Sequence, residues 1–169
     1  TYYLSKLTPE KKIVQKMVNT FKEKVLKSQL LKSTKESPLS LHEIITLASL
    51  IEKETGLDSE RKLISSVFHN RLRKNMRLQT DPTVIYAIEK FDGNIRKRDL
   101  KIDSPYNTYR YKGLPPGPIS SPGIKSIEAA IFPIKSNHLY FVSRQDGSHH
   151  FSSTLVEHNQ AVKKYQLRK

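Results

Sequence analysis

The stretch SLHEIITLASLIEKETG, residues 40–56, predicts a helix that is apolar around most of its circumference. Ser40 and Glu43 have the spacing of a capping box, which places the start of this helix at Ser40. Gly56 is expected to end it, because glycine is common just beyond a helix C-terminus. A helix with so little polar surface belongs in the interior of a domain, so the rest of the chain is expected to pack around it.

Two carboxylates, Glu52 and Glu54, stand at the end of this apolar helix. On a helical wheel both project among apolar side chains, while Lys53 points away from them. A carboxylate in such surroundings needs a partner or a proton. The partner would be an arginine of the next helix, Arg61 or Arg71. Without a partner, burial raises the pKa and keeps the acid protonated near neutral pH, the state that cleavage of a glycosidic bond requires.

The two glutamates do not form a facing pair. Positions two apart on a helix differ by about 160° around its axis, whereas two carboxylates that cleave one glycosidic bond must flank it. Either a second carboxylate comes from elsewhere, with Asp81 and Asp103 as candidates, or the chemistry uses a single carboxylate. The residues themselves leave both alternatives open.

The composition limits the class of protein. A chain of 169 residues suffices for one domain with a sizeable core. Cysteine is absent, which excludes thiol catalysis, thiolate metal sites and disulfides. His42 and Glu43 do not begin a zinc-binding HExxH motif, because Thr46 occupies the position of the second histidine. We therefore expect no metal site and no cofactor. The net charge of +14 favours a polyanionic partner.

Targeting and membrane signals are not visible in the chain. No apolar stretch approaches the roughly 18 residues of a membrane span. There is also no signal peptide and no initiator methionine. We expect the chain to be a fragment of a longer protein, with any anchor or targeting segment upstream.

The other elements are predicted from apolar periodicity and turn residues. An amphipathic helix from about Pro9 to Leu31 and a linker over 33–38 are expected to precede the central helix. After it come, in order, a helix from Asp58, a short helix from an Asp81 N-cap to about Lys90, an irregular functional loop over 103–123, a helix over 124–132, a β-hairpin of 139–143 and 149–153, and a final helix capped by Thr154 and Glu157. The prediction is an α+β fold, mainly helical, with a small antiparallel hairpin. We expect residues 1–39 to form an N-terminal helix and linker, residues 40–169 to form the domain that carries the glutamates, and the whole to be one compact unit.

Three polar residues follow the glutamates near predicted helix ends. Asn70, Gln79 and Asp81 have side chains that can hydrogen-bond the hydroxyl groups of a sugar. Asp81, which precedes Pro82, is equally explained as an N-cap. Gln79 has no such structural explanation, so a role in ligand binding is favoured for it.

A second group lies in the irregular loop, at Tyr106, Asn107 and Tyr109. Tyrosine rings stack on sugar faces, and an asparagine amide can hydrogen-bond the polar groups of a sugar. The structural alternative is a tyrosine packed beneath the loop with its hydroxyl bonded to backbone.

Longer strings carry a resemblance to a known family. They are LASLIEKETGLDSERKLISSVFHNRLRKNMRLQTDPTVIYA (47–87), SPYNTYRYKGLPPGPISSPG (104–123) and LYFVSRQDGSHHF (139–151). In this order they closely resemble the endolytic murein transglycosylases, the YceG-like family. The resemblance runs from about Leu47 to Asn159, which is most of the chain.

The resemblance implies an activity and a site. It implies a lysozyme-like catalytic cleft in which the β-1,4 bond between N-acetylmuramic acid and N-acetylglucosamine is cleaved within peptidoglycan strands. Glu54 matches the catalytic acid, which then acts as base to give a 1,6-anhydro end, and Glu52 matches a supportive glutamate. His149 matches the histidine of a Gly-x-His-x-Phe string. The family further implies the periplasmic face of the cytoplasmic membrane, an upstream single-pass anchor and cell-wall synthases as partners.

Two rival functions are weighed against this activity. The first is a nucleic-acid-binding domain, suggested by the net charge, but the aromatic residues are not interleaved with the basic clusters as a stacking platform requires. The second is a non-catalytic module that binds peptidoglycan. Binding alone does not need a buried acid, so the Glu54 motif favours the enzyme.

Overall fold

The computed structural model describes residues 2–27 and 37–167 of the chain. These residues belong to two compact units, Thr1–Pro38 and Leu39–Lys169. The glutamates of the central helix lie in the second unit.

The described part of the first unit, residues 2–27, 37 and 38, contains one amphipathic helix. Helix α1, Glu10–Phe21, starts one residue after the predicted Pro9 and continues into a π-helical turn, Lys22–Leu26. The predicted end of this helix at Leu31, and residues 33–36 of the predicted linker, lie outside the described residues.

The central helix of the second unit is α2, Leu41–Glu54. Its capping box is confirmed, since the Ser40 hydroxyl accepts from the Glu43 N–H while the Glu43 carboxylate accepts from the Ser40 N–H. The apolar face is completely buried, at Ile44, Leu47, Ala48, Leu50 and Ile51. The predicted stop at Gly56 is wrong in its mechanism, because the backbone already becomes extended at Thr55 (φ −144°), whose hydroxyl accepts from the Leu57 N–H.

Three further helices surround α2. They are α3 (Asp58–Arg73), α4 (Asp81–Ala87) and α5 (Ile124–Ile131), and α2 packs most extensively on α5. Phe68 of α3 is the largest fully buried side chain among the described residues. The predicted Asp81 N-cap is wrong by one residue: Thr80 is the N-cap, and its side chain makes no capping bond because its hydroxyl is donated to Glu54.

An irregular segment follows a 3₁₀ turn at Asp99–Lys101. Residues 102–123, all of which the structure describes, contain no helix or strand, as predicted for this loop. Asn107 is fully buried and fixes the start of the segment, since its side-chain amide donates to the carbonyl oxygens of Leu100 and Ile102.

The predicted hairpin and final helix are both present. Strands β1 (Tyr140–Ser143) and β2 (His149–Ser152) pair antiparallel, with Tyr140 opposite Ser152 and Ser143 opposite His149. Helix α6, Leu155–Tyr165, starts with the predicted Thr154–Glu157 capping box and packs on the hairpin. The α+β class, mainly helical with a small antiparallel sheet, is confirmed.

Candidate active site

A cavity of about 510 Å³ opens at the C-terminal end of α2. Its walls come from α2, α3, the segment leading into α4, the irregular loop, the hairpin and α6. Glu54 lines this cavity together with Gln79, Asp81, Tyr109 and His149, five of the residues selected from the sequence. Segments that are distant in the chain therefore meet around one carboxyl group.

Glu54 is half-buried in the cavity wall and makes a hydrogen bond to Thr80, whose hydroxyl donates to Oε1. Burial raises the pKa of Glu54 to about 7; the Thr80 hydrogen bond opposes the rise, the negative charge of Asp81 adds to it and the positive charge of Arg71 opposes it. Glu54 therefore gives up or takes a proton near neutral pH.

Thr80 is a residue of the site that the sequence did not predict. Thr80 precedes Asp81, which could itself cap the helix, so no sequence pattern marks Thr80 as a site residue. Its role depends on the position of Glu54, 26 residues earlier in the chain. Its proximity to Glu54 arises only when α2 and the start of α4 are brought together in the fold.

Arg71 is buried in the same wall and does not form the ion pair with Glu54 that the sequence left open. Its guanidinium donates instead to backbone carbonyl oxygens, with Nε 2.6 Å from the oxygen of Leu139 and Nη1 2.8 Å from that of Leu78. It also lies over the ring of Tyr140, 5.1 Å from the centroid. Arg71 thus ties the hairpin to the segment before α4 and places a positive charge near Glu54.

Asp81 and Tyr109 form a hydrogen-bonded pair in the cavity wall. The Tyr109 hydroxyl donates to Asp81 Oδ1 at 2.6 Å. Burial, followed by this hydrogen bond and by the charges of Asp81 and Glu54, raises the pKa of Tyr109 above its usual value. Tyr109 therefore stays a neutral hydrogen-bond donor across the physiological range.

Gln79 has a left-handed backbone, with φ of +52°. This conformation is unfavourable for a residue with a side chain, and such strain occurs most often near functional sites. It is held by the Gln79 N–H, which donates to the Thr108 carbonyl oxygen at 3.2 Å, and by Arg71 Nη1, 3.3 Å from Gln79 Oε1.

Glu52 points away from the cavity and forms an ion pair with Arg61. Arg61 is one of the two arginines that the sequence offered as a partner. Glu52 Oε2 lies 3.1 Å from Arg61 Nη1 and also accepts from the Ser126 hydroxyl at 2.6 Å and the Gly123 N–H at 3.1 Å. Burial raises the pKa of Glu52, but these hydrogen bonds and the charge of Arg61 outweigh it and hold the pKa below the usual value. This carboxylate links α2 to α3 and α5.

His149 lies at the cavity with its ring held by Glu60. Its Nδ1 is 2.7 Å from Glu60 Oε2, and the backbone N–H of His149 donates to Glu60 Oε1 at 2.8 Å. Glu60 belongs to the first turn of α3 and had no signal in the sequence beyond its charge. The pair fixes the orientation of the imidazole at the cavity wall.

Three selected residues lie outside the cavity lining. Asn70 donates both amide hydrogens to the carbonyl oxygens of Ser136 and His138. The amide of Asn107 is bonded within its own loop, and Tyr106 packs against Tyr86 with ring centroids 4.8 Å apart. Their contacts hold the segments before β1 and in the irregular loop.

Residues 2–27 and 37–167 contain no group of three or more histidine, aspartate or glutamate side chains arranged to hold a metal ion.

Comparisons with known proteins agree on one family. A model of the YceG-like family matches residues 1–164. The endolytic murein transglycosylase of Bacillus subtilis (strain 168) is 47% identical over 154 residues, which is 91% of this chain and 41% of that protein. The protein of the same name from Streptococcus pneumoniae D39 is 35% identical over 168 residues, 96% of this chain and 30% of that protein.

A solved structure shows the same fold. The crystal structure of a YceG-like protein from Listeria monocytogenes superposes with a TM-score of 0.85 at 42% identity, covering 95% of this chain and 51% of that one. The chain spans less than half the length of the curated relatives it matches. By family model, sequence identity and fold, the chain belongs to the YceG-like family.

Proposed function

We propose that this chain carries the active site of an endolytic murein transglycosylase, which cleaves the β-1,4 bond between N-acetylmuramic acid and N-acetylglucosamine inside glycan strands. Support comes from the family, from relatives that bear this name, and from the environment of Glu54. The observation that carries the proposal is a carboxyl group with a pKa of about 7 in the wall of a cavity large enough for sugar rings.

In the proposed reaction Glu54 first acts as general acid. Its proton moves to the glycosidic oxygen as the bond from that oxygen to the anomeric carbon breaks. A pKa near the working pH suits this step, because the acid is substantially protonated and still releases its proton readily.

Glu54 then acts as general base on the N-acetylmuramic acid residue whose anomeric carbon has lost the glycosidic oxygen. Its carboxylate takes the proton of the muramyl 6-hydroxyl while that oxygen bonds to the anomeric carbon, which closes a 1,6-anhydro ring. The proton returns to Glu54, so no water is consumed and no second carboxylate is needed. Glu52 is bonded to Arg61, Ser126 and Gly123 outside the cavity, which supports a mechanism with one glutamate.

The proposed substrate contacts are the other polar residues of the cavity. Gln79, Asp81, Tyr109 and His149 line it with Glu54 and offer amide, carboxylate, hydroxyl and imidazole groups to sugar hydroxyl and acetamido groups. Asn70, Tyr106 and Asn107 are omitted from this set because they lie outside the lining.

The proposed location follows from the substrate. Murein lies outside the cytoplasmic membrane, so the enzyme is placed on the periplasmic, extracytoplasmic face. The upstream anchor and the cell-wall synthase partners remain predictions from the family resemblance. Within residues 2–27 and 37–167, no helix combines the length and apolar character needed to cross a bilayer.

The test is product analysis of purified murein digested by wild type, by Glu54→Gln and by Glu128→Gln, a control at an exposed carboxylate paired with Lys62. Wild type and control are expected to release anhydromuramyl products, and Glu54→Gln none. A fully active Glu54→Gln protein would contradict the assignment of Glu54.

A second candidate reaction is hydrolysis, favoured by the presence of Asp81 on the same cavity as Glu54. A second carboxylate can activate a water molecule against the same bond. The product masses separate the two reactions, because hydrolysis leaves reducing ends that are heavier by one water than the anhydro ends.

A further inference from the structure

Among the described residues, Thr80 is the one whose side chain makes a hydrogen bond to the reacting carboxyl group. Its hydroxyl donates to Glu54 Oε1, and the side chain is almost completely buried. A threonine at a helix N-cap normally bonds the backbone of its own helix. Here that capping bond is absent and the hydroxyl is directed to Glu54.

Two other buried threonines fix the backbone of Thr80. Its N–H donates to Thr108 Oγ1 at 3.1 Å, and its carbonyl oxygen accepts from Thr83 Oγ1 at 2.7 Å. The hydroxyls of Thr83 and Thr108 are themselves 2.9 Å apart. Because Thr83 belongs to α4 and Thr108 to the irregular loop, the backbone of Thr80 is held from two sides, and this places its buried side chain beside Glu54.

This contact distinguishes the two oxygens of Glu54. A carboxyl group turns easily about its last torsion, so either oxygen of a free side chain can carry the proton. With Oε1 engaged as the acceptor of the Thr80 hydroxyl, the proton of the neutral acid belongs on Oε2. The same bond persists when Glu54 is ionised, since a carboxylate accepts it still more strongly.

We propose that Thr80 is the positioning residue of Glu54: it holds Oε1 and leaves Oε2 as the one oxygen that releases and recovers the proton. This inference rests on the proposed function, in which Glu54 acts first as acid and then as base. Thr80 is not among the residues that line the cavity, so the role proposed for it is to position Glu54 and not to contact the sugar.

The test compares three variants of the full chain. Thr80→Val removes the hydroxyl at nearly constant volume, and Thr80→Ser keeps it. Thr46→Val is the matched control, because Thr46 is a buried threonine of α2 whose hydroxyl donates to the His42 carbonyl oxygen, away from the cavity. Each variant is checked by thermal unfolding, and Thr80→Ala replaces Thr80→Val if the latter does not fold.

Two measurements follow the variants. Carboxyl ¹³C NMR gives the titration midpoint of Glu54, and rates on soluble glycan strands give kcat, KM and the pH profile. The charged and titratable groups that face Glu54 or share its cavity are unchanged in every variant: Arg71, Asp81, Tyr109, Tyr140, His149 and His158.

For Thr80→Val we expect the Glu54 midpoint to rise by about one pH unit, since a hydrogen bond to the ionised form is lost. We expect kcat to fall about ten-fold or more with KM little changed, because a misoriented acid slows the chemical step. The descending alkaline limb of the profile moves to higher pH with the midpoint. Thr80→Ser restores all three, and Thr46→Val changes none of them.

A merely structural role for Thr80 would lower the rate without moving the midpoint or the limb, and that result overturns the proposal. So does a Thr80→Ser protein as impaired as Thr80→Val. Failure of the proposed function is a different outcome: Glu54→Gln would remain active, while the NMR titration would still report whether Thr80 controls the Glu54 carboxyl.

Discussion

Glu52 and Glu54 lie two residues apart on one helix and have opposite chemical surroundings. Glu52 meets a guanidinium, a hydroxyl and a backbone N–H, which hold its pKa below the usual value. Glu54 meets a single hydroxyl at a cavity, and burial raises its pKa to about 7. The same residue type thus serves as a fixed anion at one position and as a proton donor at the other.

The difference shows that a carboxylate is assigned a role by its partners rather than by its position on an apolar helix. Three donors converge on Glu52 from α3 and from the start of α5, so ionisation is supported and the proton is lost. At Glu54 the positive charge of Arg71 is present, but that guanidinium is bonded mainly to backbone carbonyl oxygens. Its charge reaches Glu54 without forming an ion pair.

The largest expected effect is on how the free energy of unfolding depends on pH. In wild type this dependence includes the titration of Glu54, and Glu54→Gln removes that part. The pKa of Glu54 in the folded protein, about 7, exceeds the usual 4.5. Below pH 4.5 Glu54 is therefore protonated in both the folded and the unfolded protein, and its titration does not lower the free energy of unfolding. From pH 4.5 to 7 the unfolded state ionises first, and up to about 3 kcal/mol of stability is lost. Urea unfolding at pH 4, 6 and 8 should show that the free energy of unfolding of Glu54→Gln increases relative to that of wild type as pH rises.

Glu128→Gln is the control for this series, because its carboxylate lies in an exposed pair with Lys62. Exposed pairs of this kind contribute little to stability. Parallel pH curves for wild type and Glu54→Gln would contradict a raised pKa at Glu54 and would remove the distinction between the two glutamates.

The second effect is a loss of stability in Glu52→Ala, with activity retained by the folded protein. Arg61, Ser126 and Gly123 each lose an acceptor, and the cost expected from leaving such donors unpaired in a partly exposed pair is about 2 kcal/mol. The pH dependence has the opposite sign to that of Glu54: the lowered pKa makes the Glu52 contribution present above pH 4.5 and lost as pH falls through the folded pKa.

Urea unfolding at pH 7 measures the loss, and the rate per folded molecule measures activity. Glu128→Ala is the matched change at an exposed carboxylate and should be nearly neutral. If Glu52→Ala folds stably but is inactive, Glu52 belongs to the chemistry and the division of roles is wrong.

The central helix could be predicted because its signals are local. The Ser40–Glu43 capping box and the apolar run are complete within seventeen residues, and the Thr154–Glu157 box and the hairpin turn are equally short-range. Periodicity also placed both glutamates on the buried arc. It offered Arg61 and Arg71 equally as partners, because which arginine reaches which glutamate depends on how α3 packs.

Apart from the helix stop at Gly56, which is local, the errors and omissions arise from contacts that are long-range in sequence. Asp81 has every local feature of an N-cap, but the helix begins at Asp81, Thr80 is the N-cap, and the Thr80 hydroxyl donates to Glu54. Asn70 has the chemistry of a sugar ligand, yet its amide bonds two carbonyl oxygens more than sixty residues later. Hydrogen bonds of this kind leave no spacing pattern, so a polar residue that holds a loop looks like one that binds a ligand.

The smallest expected effect concerns Asp81, whose negative charge adds to the raised pKa of Glu54. Asp81→Asn keeps an oxygen for the Tyr109 hydroxyl and removes the charge. The pKa of Glu54 should then fall, by less than about one pH unit for a charge at a solvent-accessible cavity. Since the reaction starts from protonated Glu54, the alkaline limb of the pH–rate profile should move to lower pH, opposite to Thr80→Val.

Asp103→Asn is the control, because Asp103 accepts from the Tyr111 hydroxyl at 2.6 Å in the same way but lies outside the cavity lining. It should leave the limb in place. A limb that does not move in Asp81→Asn contradicts the electrostatic role of Asp81. If the variant instead loses all activity, and wild type leaves ordinary reducing ends, Asp81 is the second carboxylate of a hydrolase and Glu54 acts as an acid alone.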